Sequence, residues 1–105
     1  MTYSFDKEDE IFYWYKIKKL TEIISNEQND KQALSYIENK FSKIDFINNK
    51  IKFDMANIYK SYKNYDKAID LYSSIMETTS PTTITYGDLL YRRASCYERL
   101  GEFKK

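Results

Sequence analysis

The side chains that most often perform chemistry are nearly absent from this sequence. It contains no histidine, so the commonest general base near neutral pH and the commonest neutral metal ligand are both missing. Its one cysteine, Cys96, cannot build a thiolate zinc site by itself. The two glycines, Gly87 and Gly101, stand apart, which leaves no glycine-rich loop to wrap a phosphate. Asp6, Glu8, Asp9 and Glu10 form an acidic cluster. Their spacing does not match a calcium loop, and at the start of a helix they complement its dipole. The expectation is therefore no catalytic residue, no metal ligand and no cofactor, in a protein that binds and is not an enzyme.

Charge narrows the class of partner. Seventeen basic and sixteen acidic side chains leave a net charge of +1, which supplies no long-range attraction for nucleic acid. Lys16, Lys18 and Lys19, and further along Lys60, Lys63 and Lys67, are interleaved with acids and read as solvated helix faces. No apolar run approaches the roughly 18 residues that cross a bilayer. The acidic N-terminus does not resemble a signal peptide. A single cysteine fits a reducing compartment, so a cytoplasmic location without membrane or nucleic-acid partners is expected. Cys96 lies in a helical apolar pattern, where a buried structural thiol is expected. The 11 tyrosines accompany abundant Lys, Asn, Ile and Phe, all residues with A/T-rich codons, and base composition explains them without a ligand.

The elements that position these residues are helices. Two glycines and one proline are too few to punctuate a β-rich chain, and helical periodicity dominates between breaks. A first helix is predicted over residues 7–25, with Ile11, Trp14, Ile17, Leu20 and Ile24 as its apolar stripe. Residues 26–30 form a turn in which Asp30 is a candidate N-cap. The second helix carries Ala33, Leu34, Ile37 and Phe41 on one face. A third starts between Asp45 and Asn49 and ends near Lys63. The fourth begins at Tyr65 or Asp66 and buries Ala68, Ile69, Tyr72, Ile75 and Met76. Residues 78–83, with Pro81 among threonines, are a loop. The fifth helix spans residues 86–100 and stops at Gly101.

The third and fifth helices repeat one another at an offset of 38 residues. Ile51 aligns with Leu89, Phe53 with Tyr91, Ala56 with Ala94, Ile58 with Cys96, Tyr59 with Tyr97, Tyr62 with Leu100, and Tyr65 with Phe103. The charged positions between them differ, so what repeats is packing rather than surface.

Ala56, Tyr59, Tyr65, Ala68, Tyr72 and Pro81, followed by Ala94, Tyr97, Gly101 and Phe103, resemble the tetratricopeptide repeat. Ala33, 35 residues before Ala68, marks a diverged earlier copy, with Thr21 in the place of Ala56 and Ala94. The pattern is departed from at Lys63, which replaces the usual glycine beside an Asn64 able to take the turn conformation. Lys52 replaces an apolar residue, and the Thr/Ser/Pro loop adds four residues to a period of about 34. The resemblance implies an all-α fold of about five helices, antiparallel pairs stacked as a short α-solenoid. It divides the single domain into a divergent helix pair over 7–43, a repeat over 46–80, and the first helix of an incomplete repeat over 84–105. Leu89, Leu90, Cys96, Tyr97, Leu100 and Phe103 then lack a following helix. Either the chain is part of a longer array, or the uncapped C-terminal end is covered by another molecule, as in a homodimer.

Carried over from the family, a ligand groove would be lined by the first helix of each pair. Lys18, Phe53, Asn57, Lys60, Tyr91, Arg92 and Ser95 are the candidate partner-binding residues that this implies. A family clamp for peptide carboxylates is not expected, because Glu22, Asp54 and Asp88 occupy three of its positions beside Lys18 and Arg92, and carboxylates repel one another. Binding through the convex face or the open end stays open. The expected function is a protein- or peptide-binding adaptor. The alternatives are a sensor segment of a peptide-responsive bacterial regulator and a small inhibitor or immunity-type protein.

Overall fold

In the computed structural model the backbone is described for residues 7–104 and the side chains for residues 9–101. Among the described residues the protein is all-α, with five helices and no strand. They are α1 (Lys7–Glu27), α2 (Asp30–Lys43), α3 (Asn49–Ser61), α4 (Tyr65–Met76) and α5 (Ile84–Lys104). The chain divides into two compact units, Met1–Ile47 and Asn48–Lys105.

In the first unit, α1 packs against α2. Trp14, Ile17, Thr21, Ala33 and Ile37 are buried. The Trp14 and Phe41 rings lie 6.3 Å apart, early α1 against late α2, so the two helices run antiparallel. Thr21 is the polar member of this core, and its hydroxyl donates back to the Ile17 carbonyl at 2.7 Å, which removes the cost of burying it. Ala33 has no exposed surface at all, as close approach of two helices requires. Ile11 and Leu20 depart from the expected stripe. Ile11 is 70% exposed and Leu20 44%, because they flank the Trp14–Ile17–Thr21 line instead of lying on it.

The turn into α2 is capped by Asn29, whose side chain accepts from the Gln32 amide at 2.8 Å, not by Asp30. Asn29 has the extended backbone of an N-cap, φ −170°, whereas Asp30 is already helical and receives the Ser25 hydroxyl instead. Asn48 caps α3 in the same way, accepting from the Ile51 amide at 3.0 Å.

In the second unit, α4 packs against both α3 and α5. Lys52 Nζ of early α3 donates to Ser74 Oγ of late α4 at 2.9 Å, while Lys67 Nζ of early α4 lies over the Tyr59 ring of late α3. These pairings make α3 and α4 antiparallel. The core holds Ile51, Met55, Ala56 and Tyr59 from α3, and Leu89 and Cys96 from α5. Every residue expected on the inner face of α4, from Ala68 to Met76, is buried. Ala56 and Ala68 are both fully enclosed, and each buried Ile or Met nearby contributes about 1.5–3 kcal/mol.

The turn between α3 and α4 uses Lys63, not Asn64, for its left-handed residue: Lys63 has φ 66° and Asn64 has φ −92°. The Asn64 amide donates to the Tyr59 carbonyl at 2.8 Å and the Lys63 amide to the Lys60 carbonyl at 3.0 Å. This is the paired bonding that closes a helix when a left-handed residue follows its end. The lysine occupies the glycine position and its conformation too.

Helix α5 begins earlier than residue 86 and passes through Gly101. Thr83 Oγ1 accepts from the Tyr86 amide at 3.2 Å, so the cap lies in the threonine loop and the first turn starts at Ile84. Gly101 does not have the positive φ of a helix stop. The α3–α5 repeat holds at Ile51 and Leu89, both buried, and breaks at the Ala56/Ala94 and Tyr59/Tyr97 pairs. Tyr59 is 7% exposed and Tyr97 56%; Ala56 is enclosed and Ala94 is exposed. Of the residues expected to lack a partner, Leu89 and Cys96 are fully buried, Leu90 and Tyr97 are exposed, and Leu100 is half-buried. The Phe103 side chain and Asp6 lie outside the described residues, as does the Glu8 side chain.

Candidate functional site

The side chains of α3 and α5 meet on one surface of the second unit. Arg92 of α5 is the link. Its guanidinium carbon stands 5.0 Å from the Phe53 ring centroid, its Nη1 donates to Asn57 Oδ1 at 3.2 Å, and its Nε donates to Asp88 Oδ2 at 3.1 Å. Beneath them, the Tyr72 hydroxyl of α4 also donates to Asn57 Oδ1. Phe53 and Tyr72 meet edge to face at 6.3 Å.

These contacts orient each other. Burial pushes the Tyr72 hydroxyl above its ordinary range, so it stays protonated and acts as a donor. Arg92 has donors only. Burial opposes its charge, but the hydrogen bond and charge of Asp88 outweigh that effect and hold it protonated. Two donors therefore converge on one oxygen, which fixes the orientation of the Asn57 amide.

Two hollows open along this surface. The first, about 590 Å³, lies between Asn49, Lys50 and Phe53 of α3 and Ile84, Asp88 and Leu89 of α5, with Ile75 and Thr79 at its base. It is mainly apolar, and Lys50 at its rim pairs with Asp54 at 3.2 Å. The second, about 330 Å³, is lined by Asn57, Lys60 and Ser61 of α3, Tyr65 of α4, and Arg92, Ser95 and Arg99 of α5. It is polar, and its lining contains three cationic side chains and no carboxylate.

Of the residues singled out in the sequence, Phe53, Asn57, Lys60, Arg92 and Ser95 share this surface. Tyr91 is 74% exposed and lines neither hollow; one helical position before Arg92, it projects about 100° away around α5. Lys18 belongs to the first unit, on α1, where it is half-buried. The sequence reading missed two contributors. Tyr65 and Tyr72 were legible as packing residues, but the role of a Tyr72 hydroxyl appears only when Asn57 is placed against it. Their signal was the choice of Tyr over Phe at a buried position, since a buried phenol needs a partner.

Cys96 is unpaired and buried, and burial raises its thiol above the usual range. It is held as the protonated, unreactive form. Among the described residues, no group of three or more His, Cys, Asp or Glu side chains is placed to hold a metal ion, and no helix is long and apolar enough to cross a membrane. No protein-family model matches the chain, and no curated protein or solved structure shows significant similarity to it.

Proposed function

We propose that this chain is a tetratricopeptide-like interaction module that binds a peptide segment of a partner protein along the α3–α5 surface. The observation that supports it best is the pair of hollows in series, one apolar and one polar, held between two helices by the Arg92 cluster. Binding sites combine an apolar pocket for an anchor with a few oriented polar groups for specificity. Phe53 and Leu89 supply the first, and Asn57, Ser95 and their cationic neighbours the second. The full burial of Ala56 on α3 and Ala68 on α4, and the 38-residue match between α3 and α5, support the repeat assignment. A cytoplasmic setting is part of the proposal, and the unpaired Cys96 supports it.

Selection from a random peptide display library against the immobilised protein tests this reading. Enriched peptides should lose binding to Ser95→Trp, which fills the polar hollow without removing an internal contact. Circular dichroism checks that the variant is folded. Failure to enrich any peptide, or enriched peptides that bind Ser95→Trp equally well, would overturn the proposal.

A further inference from the structure

We infer that α5 pairs with the α5 of a second copy of this chain, the two helices antiparallel about a two-fold axis at Ala94. Helix α5 has two apolar faces. Leu89 and Cys96 are fully buried in the core, whereas Leu90 is 42% exposed and Tyr97 56%. At about 100° per residue, Gly87, Leu90, Ala94, Tyr97 and Gly101 form one stripe, about 130° around the helix from Leu89 and Cys96. All five are exposed. The stripe holds no charged residue in a chain that is 31% charged, and its spacings of three and four are those of a seam between two helices. It lies on the far side of α5 from Arg92, so pairing leaves both hollows open and stands apart from the peptide reading.

The glycines point to a close neighbour. The chain has only two, and both stand inside α5, where glycine is costly relative to alanine. Neither has a positive φ, and a methyl group added to either would meet nothing within 4 Å. Turn geometry and packing within the chain therefore call for neither of them. A second backbone lying against the stripe does, because glycine lets a backbone approach closely. The equivalent positions of α3 are Asn49, Lys52, Ala56, Tyr59 and Lys63. There the ends are polar, and Ala56 and Tyr59 are buried where α4, a helix of 12 residues, packs against α3. In α5 the small and apolar character continues from Gly87 to Gly101, about 21 Å along the axis, which fits a long partner helix lying alongside.

A second copy fits because the stripe is its own complement. Gly87 and Gly101 lie seven positions either side of Ala94, with one large residue, Leu90 or Tyr97, in each interval. A two-fold axis at Ala94 sets Gly87 of each copy against Gly101 of the other, and Leu90 against Tyr97 of the other. On the opposite flank, the Tyr91 hydroxyl of each copy comes level with the Glu98 carboxylate of the other and donates to it. Each copy thus uses one surface to meet the same surface, as a closed symmetric pair does. A single pair of helices buries less than the ~1,200 Å² of a stable interface. The dimer therefore forms only at high concentration, and the monomer prevails at the dilution of unfolding measurements.

The test is sedimentation equilibrium of the full chain from about 5 to 500 µM. A reversible monomer–dimer equilibrium is expected. Ala94→Glu sets two carboxylates face to face at the axis and should weaken association about tenfold or more, with an unchanged circular dichroism spectrum. A chain that is monomeric at every concentration, or that dimerises equally well as Ala94→Glu, would overturn the inference. Disulfide trapping in a Cys96→Ala background reads the register without relying on that variant. Ala94→Cys should link to itself, and Gly87→Cys should link to Gly101→Cys but not to itself. Gly87→Cys linking to itself shows a parallel pair and rejects the antiparallel one.

Discussion

The guanidinium of Arg92 lies over the face of the Phe53 ring, 5.0 Å from its centroid, and this contact ties α5 to α3 across the head of the buried Tyr72. It also places two different surfaces side by side: an apolar hollow on the Phe53 side, and a cationic one on the Lys60 and Arg99 side. Arginine suits this position because it stacks through its plane while donating from its edges, to Asn57 and to Asp88.

Arg92→Lys should therefore be a disruptive exchange. A lysine keeps the charge but cannot stack and donate in two directions at once. A loss of about 1 kcal/mol is expected in urea unfolding, with a coupling of about 0.5–1 kcal/mol to Phe53→Leu in a double-mutant cycle. Zero coupling would show that stacking contributes nothing.

Lys63→Gly should stabilise the protein. Lys63 sits at φ 66°, where a side chain costs about 1–2 kcal/mol that glycine avoids. The greater freedom of glycine in the unfolded chain offsets part of this. The expected net gain is about 0.5–1 kcal/mol, seen as a higher melting temperature; Lys63→Val should lower it.

Ala56 and Ala94 occupy equivalent places in the repeat but should respond oppositely to enlargement. Ala56 is fully enclosed, and Ala56→Leu should cost about 1–3 kcal/mol through overpacking. Ala94 is exposed, so Ala94→Leu should stay within about 0.5 kcal/mol. Chemical denaturation of both variants measures the contrast, and a large loss at Ala94 would mean that its face is covered in solution.

Stability should fall at alkaline pH. Burial raises the folded-state values for Cys96 and Tyr72 above their ordinary 9.0 and 10.0. The folded protein therefore holds both protons more tightly than the unfolded chain does. That stabilisation is fully present below pH 9 and is lost as pH rises, first through Cys96 and then through Tyr72. Cys96→Ala and Tyr72→Phe should each flatten part of the decline in unfolding free energy between pH 8 and about 11. A thiol reagent should modify Cys96 only at the rate of unfolding.

Asn29→Ala should cost about 1 kcal/mol, as loss of an N-cap does. Asp30→Ala should cost less, because its bond to Ser25 is exposed and leaves the Gln32 amide capped. Equal losses, measured by thermal unfolding, would contradict the assignment of the cap to Asn29.

The sequence by itself determined the helical class, the number of helices and the inner face of α4, because each rests on local periodicity and on scarce glycine and proline. Most residues of the α3–α5 surface were named through the resemblance to the tetratricopeptide repeat, whose groove positions carry over residue by residue, and not through periodicity alone. Ends and turns were less legible. Asn29 and Asp30 are both good caps, and the choice depends on which backbone is extended; Lys63 stands at the repeat's glycine position, but residue type favours its neighbour Asn64 for the left-handed conformation that Lys63 takes. Only the tertiary structure decided that Tyr91 turns away while Arg92 turns in. It likewise decided that Ala94 and Tyr97 stay uncovered where Ala56 and Tyr59 are buried. Exposure and the meeting of Arg92 with Asn57, 35 positions apart, depend on which helix packs beside which, and no local pattern contains that information.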